Sequence, residues 1–429
     1  MLVVRGLGLG AAFAVSLLLA RDLGAADFGV YTIAISAAMM LAVPGRLGLD
    51  QTLTRELAHI ADVGSADAAI RAFRRSASRS AIVALLITIF AGLGLGLQVE
   101  TGSPMVIALL IALTLVPLSA GQSLVQAGLA GISRPVQSQA VIETIGPVVA
   151  LTGVAAVGAT VGVSPVIAVA IVAASTALAV LVGAGLLVVQ WQAAFTTSRP
   201  QPAVERDPVV DGIWALAIVN AAIFAMSRVD VLMIGGLRDE SQAAIYSIAS
   251  IIAALVNMVT MSVVLIYRPQ FEQYVRRQDG GALQRVVRLV TVCSSLGALV
   301  FAIAFALAGP AVLRLYGTDF EVAYSPTWLL IAGHAVFSVL GPAIPLLMMA
   351  RDDRYLVFST VTCLLGNVAL NLLLIPRFGI DGAVIATLAT LLAWHGHAVW
   401  RVGRRWRIDT TLLAVLKPAR AITLRSSSQ

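Results

Sequence analysis

The chain has 429 residues, of which 59% are hydrophobic and only 12% charged, and its mean hydropathy is +0.93. A soluble domain carries about 25% charged residues, so this composition excludes a soluble enzyme and indicates a membrane protein. The net charge of +7 does not indicate a nucleic-acid partner, because the arginines sit in short links between apolar runs, where membrane topology places them.

The first apolar stretch, Leu2 to Ala20, has no multiply basic segment before it and more spans after it. It therefore reads as a transmembrane helix and not as a signal peptide. Further helices are predicted at 28–50, 80–98, 105–127, 137–158, 165–190, 212–236, 243–266, 289–309, 325–350, 356–375 and 382–400. Each approaches or exceeds the roughly 20 residues that cross a bilayer. Turns are marked by Arg21-Asp22-Leu23-Gly24 and Pro376-Arg377-Phe378-Gly379. The fold class is all-α and polytopic, with about twelve transmembrane helices.

The basic residues set the orientation. With the N-terminus in the cytoplasm, the inside segments 54–79, 128–136, 191–211, 267–288, 351–355 and 401–429 hold 22 Lys and Arg, and the outside loops hold 4. This is a positive-inside pattern, with both termini cytoplasmic. The outside loops are too short for an external catalytic domain.

A repeat divides the chain. Residues 17–37 resemble residues 232–252, and Tyr31 aligns with Tyr246, Ala34 with Ala249. A weaker match joins Gly162–Ala168 to Gly379–Ala386. Six helices per half give both halves the same orientation, a parallel repeat of the kind some transporters use. The predicted organisation is an N-terminal lobe 1–200, a C-terminal lobe 201–400 and a basic cytoplasmic tail 401–429.

No sequence motif points to an enzyme. There is no P-loop, HExxH or GxSxG segment, and neither a cofactor nor a metal site is expected. His395 and His397 stand two residues apart, about 200° around a helix, and make poor joint ligands. His334 reads as a packed residue. Cys293 and Cys363 lie in apolar runs and read as small hydrophobes.

The charges inside the spans are the informative residues, since an Arg or Asp at the bilayer centre costs roughly 2.5–3.5 kcal/mol on insertion scales. Arg46 and Asp50 share a helical face at i, i+4 and suit either an interfacial pair or a cavity. Arg228 and Asp230, two apart, cannot pair within their helix, so Arg228 is a cavity candidate and Asp230 a tie to a neighbouring helix. Glu143, with Gln139 one turn before it, suits a coupling proton or a structural hydrogen bond. Arg5 is close enough to the cytoplasmic end to snorkel. Asn220 and Ser227 share a face, as do Gln122 and Gln126, and Asn367 and Asn371; all can serve as interhelical hydrogen-bond glue. Pro44, Pro117, Pro147, Pro342 and Pro345 are predicted bending points. Arg46 and Arg228, with Arg5 as a third and Asn220 beside them, would form a cationic cavity able to neutralise a pyrophosphate, which arginine grips bidentately.

Four segments carry a family resemblance. LLLARDLGAADFGVYTIAISAAMML and RLGLDQTLTRELA resemble the N-terminal signature of polysaccharide and oligosaccharide-lipid flippases. SRVDVLMIGGLRDESQAAIYSIAS resembles the start of their second lobe, and NLLLIPRFGIDGAVIATLAT their C-terminal signature. These flippases belong to the multidrug/oligosaccharidyl-lipid/polysaccharide exporter superfamily. The resemblance implies a two-lobed, V-shaped, alternating-access bundle that moves undecaprenyl-pyrophosphate-linked sugars across the bacterial inner membrane. It implies service to O-antigen, capsule or exopolysaccharide synthesis, with a polymerase and glycosyltransferases as pathway partners. Cavity arginines on helices 1, 2 and 7 recur in such flippases, and Arg5, Arg46 and Arg228 hold similar places. The alternatives are a lipid II flippase, often with fourteen helices; a multidrug antiporter, which would want acidic cavity groups; and a membrane glycosyltransferase or polymerase.

Overall fold

The computed structural model describes residues 2–46, 49–63, 66–98, 102–196, 211–350 and 352–416. Fifteen α-helices cover most of these residues, and no β-strand occurs among them. By internal packing the chain divides into one unit up to Leu232 and another from Met233. The division falls inside a helix.

The first unit contains α1 (Leu2–Arg46), α2 (Leu49–Val63), α3 (Ala66–Gln98), α4 (Pro104–Ala112), α5 (Leu115–Gly131), α6 (Pro135–Ala140), α7 (Gly146–Gly158), α8 (Pro165–Thr196) and most of α9 (Asp211–Leu237). The second contains α10 (Glu240–Arg277), α11 (Gly280–Tyr316), α12 (Tyr324–Leu340), α13 (Ala343–Met349), α14 (Asp353–Phe378) and α15 (Ile380–Trp406). Eleven stretches are long and apolar enough to cross a membrane, and the first covers 41 residues. At 1.5 Å per residue that stretch is about 60 Å long, twice a hydrocarbon core of ~30 Å. Its backbone breaks at Gly24, where φ is 72° and ψ is 177°, a conformation open only to glycine. The stretch is thus long enough for two passes, which with the other ten gives twelve among the described residues. Many large side chains on the spans stay exposed, such as Leu307 at 82% and Phe358 at 70%, as lipid-facing surfaces require.

One prediction is corrected: the predicted inside loop 54–79 is helical over its described residues. This segment is too polar to be a span, but Leu53 and Leu57 stand one turn apart and are fully buried against Leu124, Leu129 and Leu187. Tertiary packing, not hydropathy, forms α2 and extends α3 to Ala66.

Prolines explain where helices interrupt. Pro117 offers no N–H to the Leu113 carbonyl, and the predicted helix 105–127 is split between α4 and α5. Pro147 offers none to Glu143, and a π-helical turn occupies Val141–Ile145. The predicted helix 325–350 is split at Gly341-Pro342 into α12 and α13. Pro44 stays inside α1.

The break between α12 and α13 is held by the chain itself. The segment predicted as tail from 401 is helical to Trp406, turns at Arg407 (φ 57°) and packs back on its own unit. Thr410 is fully buried; its hydroxyl donates to the Leu340 carbonyl (2.9 Å), and its carbonyl accepts from the Thr291 hydroxyl (2.8 Å). The Gln284 amide donates to the Asp409 carbonyl (2.7 Å) and accepts from its N–H (2.9 Å). This strap satisfies a carbonyl that the helix break leaves open. Gln284→Ala should lower stability by about 1–3 kcal/mol, because two buried backbone groups lose their partner. Detergent-based unfolding checks this, and an unchanged midpoint would remove the strap's structural role.

Candidate functional site

Arg228 lies on α9, a 27-residue helix made mostly of apolar side chains. Its Nε is buried and has no hydrogen-bond partner. Its guanidinium stands over the Phe224 ring, 5.8 Å from the centroid, and interacts electrostatically with the Tyr31 hydroxyl on the second half of α1. Among the described residues no carboxylate lies within ion-pair distance of it. The side chain is half-buried and keeps some accessible surface.

Tyr31 was not singled out for chemistry by the sequence, although the repeat marked it. Its ring packs on Phe28, with centroids 5.6 Å apart. The repeat-related Tyr246 shares a hydrogen bond with the Thr387 hydroxyl at 3.2 Å. In the first unit Tyr31 instead packs against an apolar cluster that includes Val169 and Ala173. One tyrosine of the repeat is tied within its unit, and the other is turned to an arginine.

The remaining charges are spread out. Arg46 closes α1, where the preceding Gly45 carbonyl accepts from the Ser80 hydroxyl of α3 at 2.8 Å. Asp50 lies in the first described turn of α2. The side chains of Asp50 and Arg5 lie outside the described residues. Arg46 stands 15 positions beyond Tyr31 in sequence, about 22 Å along α1 at 1.5 Å per residue. Asn220 and Ser227 are exposed on α9, and the Ser227 hydroxyl donates to the Phe224 carbonyl at 2.7 Å. Asp230 is buried at 3% exposure. Glu143 accepts from the Gln139 amide at 2.7 Å, inside the π-helical turn. Its backbone carbonyl faces Gly8 of α1.

In the second unit Asn371 donates to Asn367 at 3.1 Å; the pair is buried and lies along one helix. His395 and His397 are engaged separately: His395 stacks on Phe337 at 4.5 Å, and His397 bonds the Tyr355 hydroxyl at 3.2 Å. His334 packs edge-on against Phe337. Among the described residues no three His, Cys, Asp or Glu side chains converge as a metal site would need.

A family profile described as "Polysaccharide biosynthesis protein" matches residues 1–275. No curated protein matches the chain by sequence. Solved structures match in fold. An inward-facing multidrug resistance MATE family transporter of the MOP superfamily superposes with a TM-score of 0.71 at 12% identity, covering 94% of this chain and 98% of its own. The lipid II flippase MurJ, in an inward closed conformation, gives 0.64 at 10% identity, covering 94% and 86%. A Vibrio cholerae MATE transporter gives 0.57 at 12%, covering 92% and 97%. Identities this low establish the fold and nothing finer.

Proposed function

Because the chain belongs to the polysaccharide biosynthesis protein family, a family of multi-pass membrane transporters and flippases, we propose that it flips an undecaprenyl-pyrophosphate-linked oligosaccharide across the bacterial inner membrane. Both termini face the cytoplasm in this reading, and the product feeds O-antigen, capsule or exopolysaccharide synthesis. The polymerase and glycosyltransferases of that pathway are its functional partners.

The observation that carries the reading is Arg228, a buried cation with no carboxylate partner among the described residues. A charge left in a span costs free energy unless a ligand of opposite sign meets it. A pyrophosphate does so, and a planar guanidinium meets it through two parallel N–H bonds. The lipid tail stays in the bilayer while the headgroup uses the polar interior. Arg46, some 22 Å along α1, serves as a second station nearer the cytoplasmic mouth, with Arg5 as a third candidate and Asn220 on the α9 surface. Asp230 ties α9 to a neighbouring helix, Asp50 is a further structural or coupling charge, and Glu143 holds the π-helical turn or carries a coupling proton. A multidrug antiporter for organic cations would not place an unpaired arginine there.

A strain lacking this protein should accumulate undecaprenyl-linked sugar on the cytoplasmic leaflet while synthesis of the precursor continues. Extraction of lipid-linked oligosaccharide, with a leaflet-specific label, measures this. Absence of accumulation sinks the flippase reading; accumulation of lipid II instead moves the assignment to a peptidoglycan precursor.

A further inference from the structure

The end of α15 carries an ordered stack that the proposed transport does not use. The Arg404 guanidinium lies over the Trp400 ring at 5.3 Å. Trp400 stacks on His397, with centroids 5.3 Å apart and planes 14° from parallel. His397 Nδ1 shares a hydrogen bond with the Tyr355 hydroxyl of α14. The Arg401 guanidinium covers the Tyr355 ring at 5.3 Å. A cation thus stands at each end of a row of three rings.

The two cations differ. Arg401 is bound to buried Asp352 at 3.0 Å, and Arg405 joins the same carboxylate at 2.7 Å. Arg404 has no carboxylate within ion-pair distance among the described residues, and it is exposed, as are His397 and Trp400, the last at 51%. Residues 397, 400 and 404 follow the i, i+3, i+7 spacing of one helical face. That face closes a membrane span that ends at Trp406.

We propose that this face is a binding site for the headgroup of an anionic phospholipid. Exposed tryptophan at a span end sits at headgroup depth. Stacking on Trp400 fixes the plane of Arg404 and leaves its N–H edge for a phosphate, which it meets bidentately. A loosely snorkelling arginine would need no such array. The neutralised Arg401 and Arg405 brace the site, and Arg404 supplies the charge that selects an anionic lipid over a zwitterionic one. The site stands independently of the transported substrate.

The test uses the full-length protein in nanodiscs of mixed phosphatidylglycerol and phosphatidylcholine, with retained lipid counted by native mass spectrometry. Wild type should retain phosphatidylglycerol preferentially. Arg404→Gln and Trp400→Leu should each reduce that retention several-fold, and Trp400→Phe should preserve it. Arg134→Gln, which removes one exposed charge from the other unit, should leave it unchanged. Equal loss in Arg404→Gln and Arg134→Gln would reduce the effect to general charge and overturn the site. Equal retention of both lipids, or displacement by free inorganic phosphate, would also overturn it.

Discussion

Arg228→Ala, at unchanged protein level, should reduce surface polysaccharide about 10- to 100-fold. The estimate follows from a charge-assisted hydrogen bond worth roughly 1.5–3 kcal/mol, at 1.36 kcal/mol per decade. The comparison variants sharpen it. Arg228→Lys keeps the charge but loses the planar fork and the hold of Phe224, so it should restore only part of the activity. Tyr31→Phe removes a hydroxyl beside the guanidinium without removing the ring that packs on Phe28, so its effect should be smaller than that of Arg228→Ala. Complementation of a deletion strain, with transporter abundance measured in the same membranes, decides between these outcomes. Full polysaccharide output from Arg228→Ala would remove the arginine from the transport step. It would leave the family membership intact, because that rests on the match over residues 1–275.

The second large effect concerns stability. Gly341 sits at φ 77°, ψ −173°, between α12 and α13, in a region essentially reserved for glycine. A methyl group there would meet the Thr410 carbonyl and would stand 2.6 Å from the Thr291 hydroxyl. Gly341→Ala should therefore displace the strap as well as strain the break. We expect a loss of about 3 kcal/mol, from 1–3 kcal/mol of backbone strain and about 1 kcal/mol for each displaced hydrogen bond. Gly396→Ala is the control, because its added carbon meets nothing within 4 Å. It should be neutral or slightly stabilising. Combining Gly341→Ala with Gln284→Ala should cost less than their sum, since both release the same segment. Equal unfolding midpoints for Gly341→Ala and Gly396→Ala would show that the strap yields freely and does not brace the break.

The sequence by itself determined the membrane class, the number of passes and most span positions. Those follow from runs of apolar side chains, and a bilayer offers the backbone no alternative to internal hydrogen bonds. Proline chemistry was partly local: Pro117, Pro147 and Pro342 each coincide with an interruption of α-helical geometry, whereas Pro44, Pro269, Pro310 and Pro376 stay inside their helices. The buried arginine on α9 was legible too, as a charge in an apolar run. Its surroundings were so only in part. Phe224 follows from the helix, four residues before Arg228, but tertiary structure alone set Tyr31 near it. It also made a helix of residues 49–63, whose polarity argues for a loop until Leu53 and Leu57 find partners more than sixty residues away. The same holds for the strap. Nothing in the composition of residues 407–416 says that they fold back, because their partners, Gln284, Thr291 and Leu340, are known only once the helices have packed. Periodicity and backbone chemistry are properties of neighbours in the chain, and a site made of distant side chains is a property of the fold.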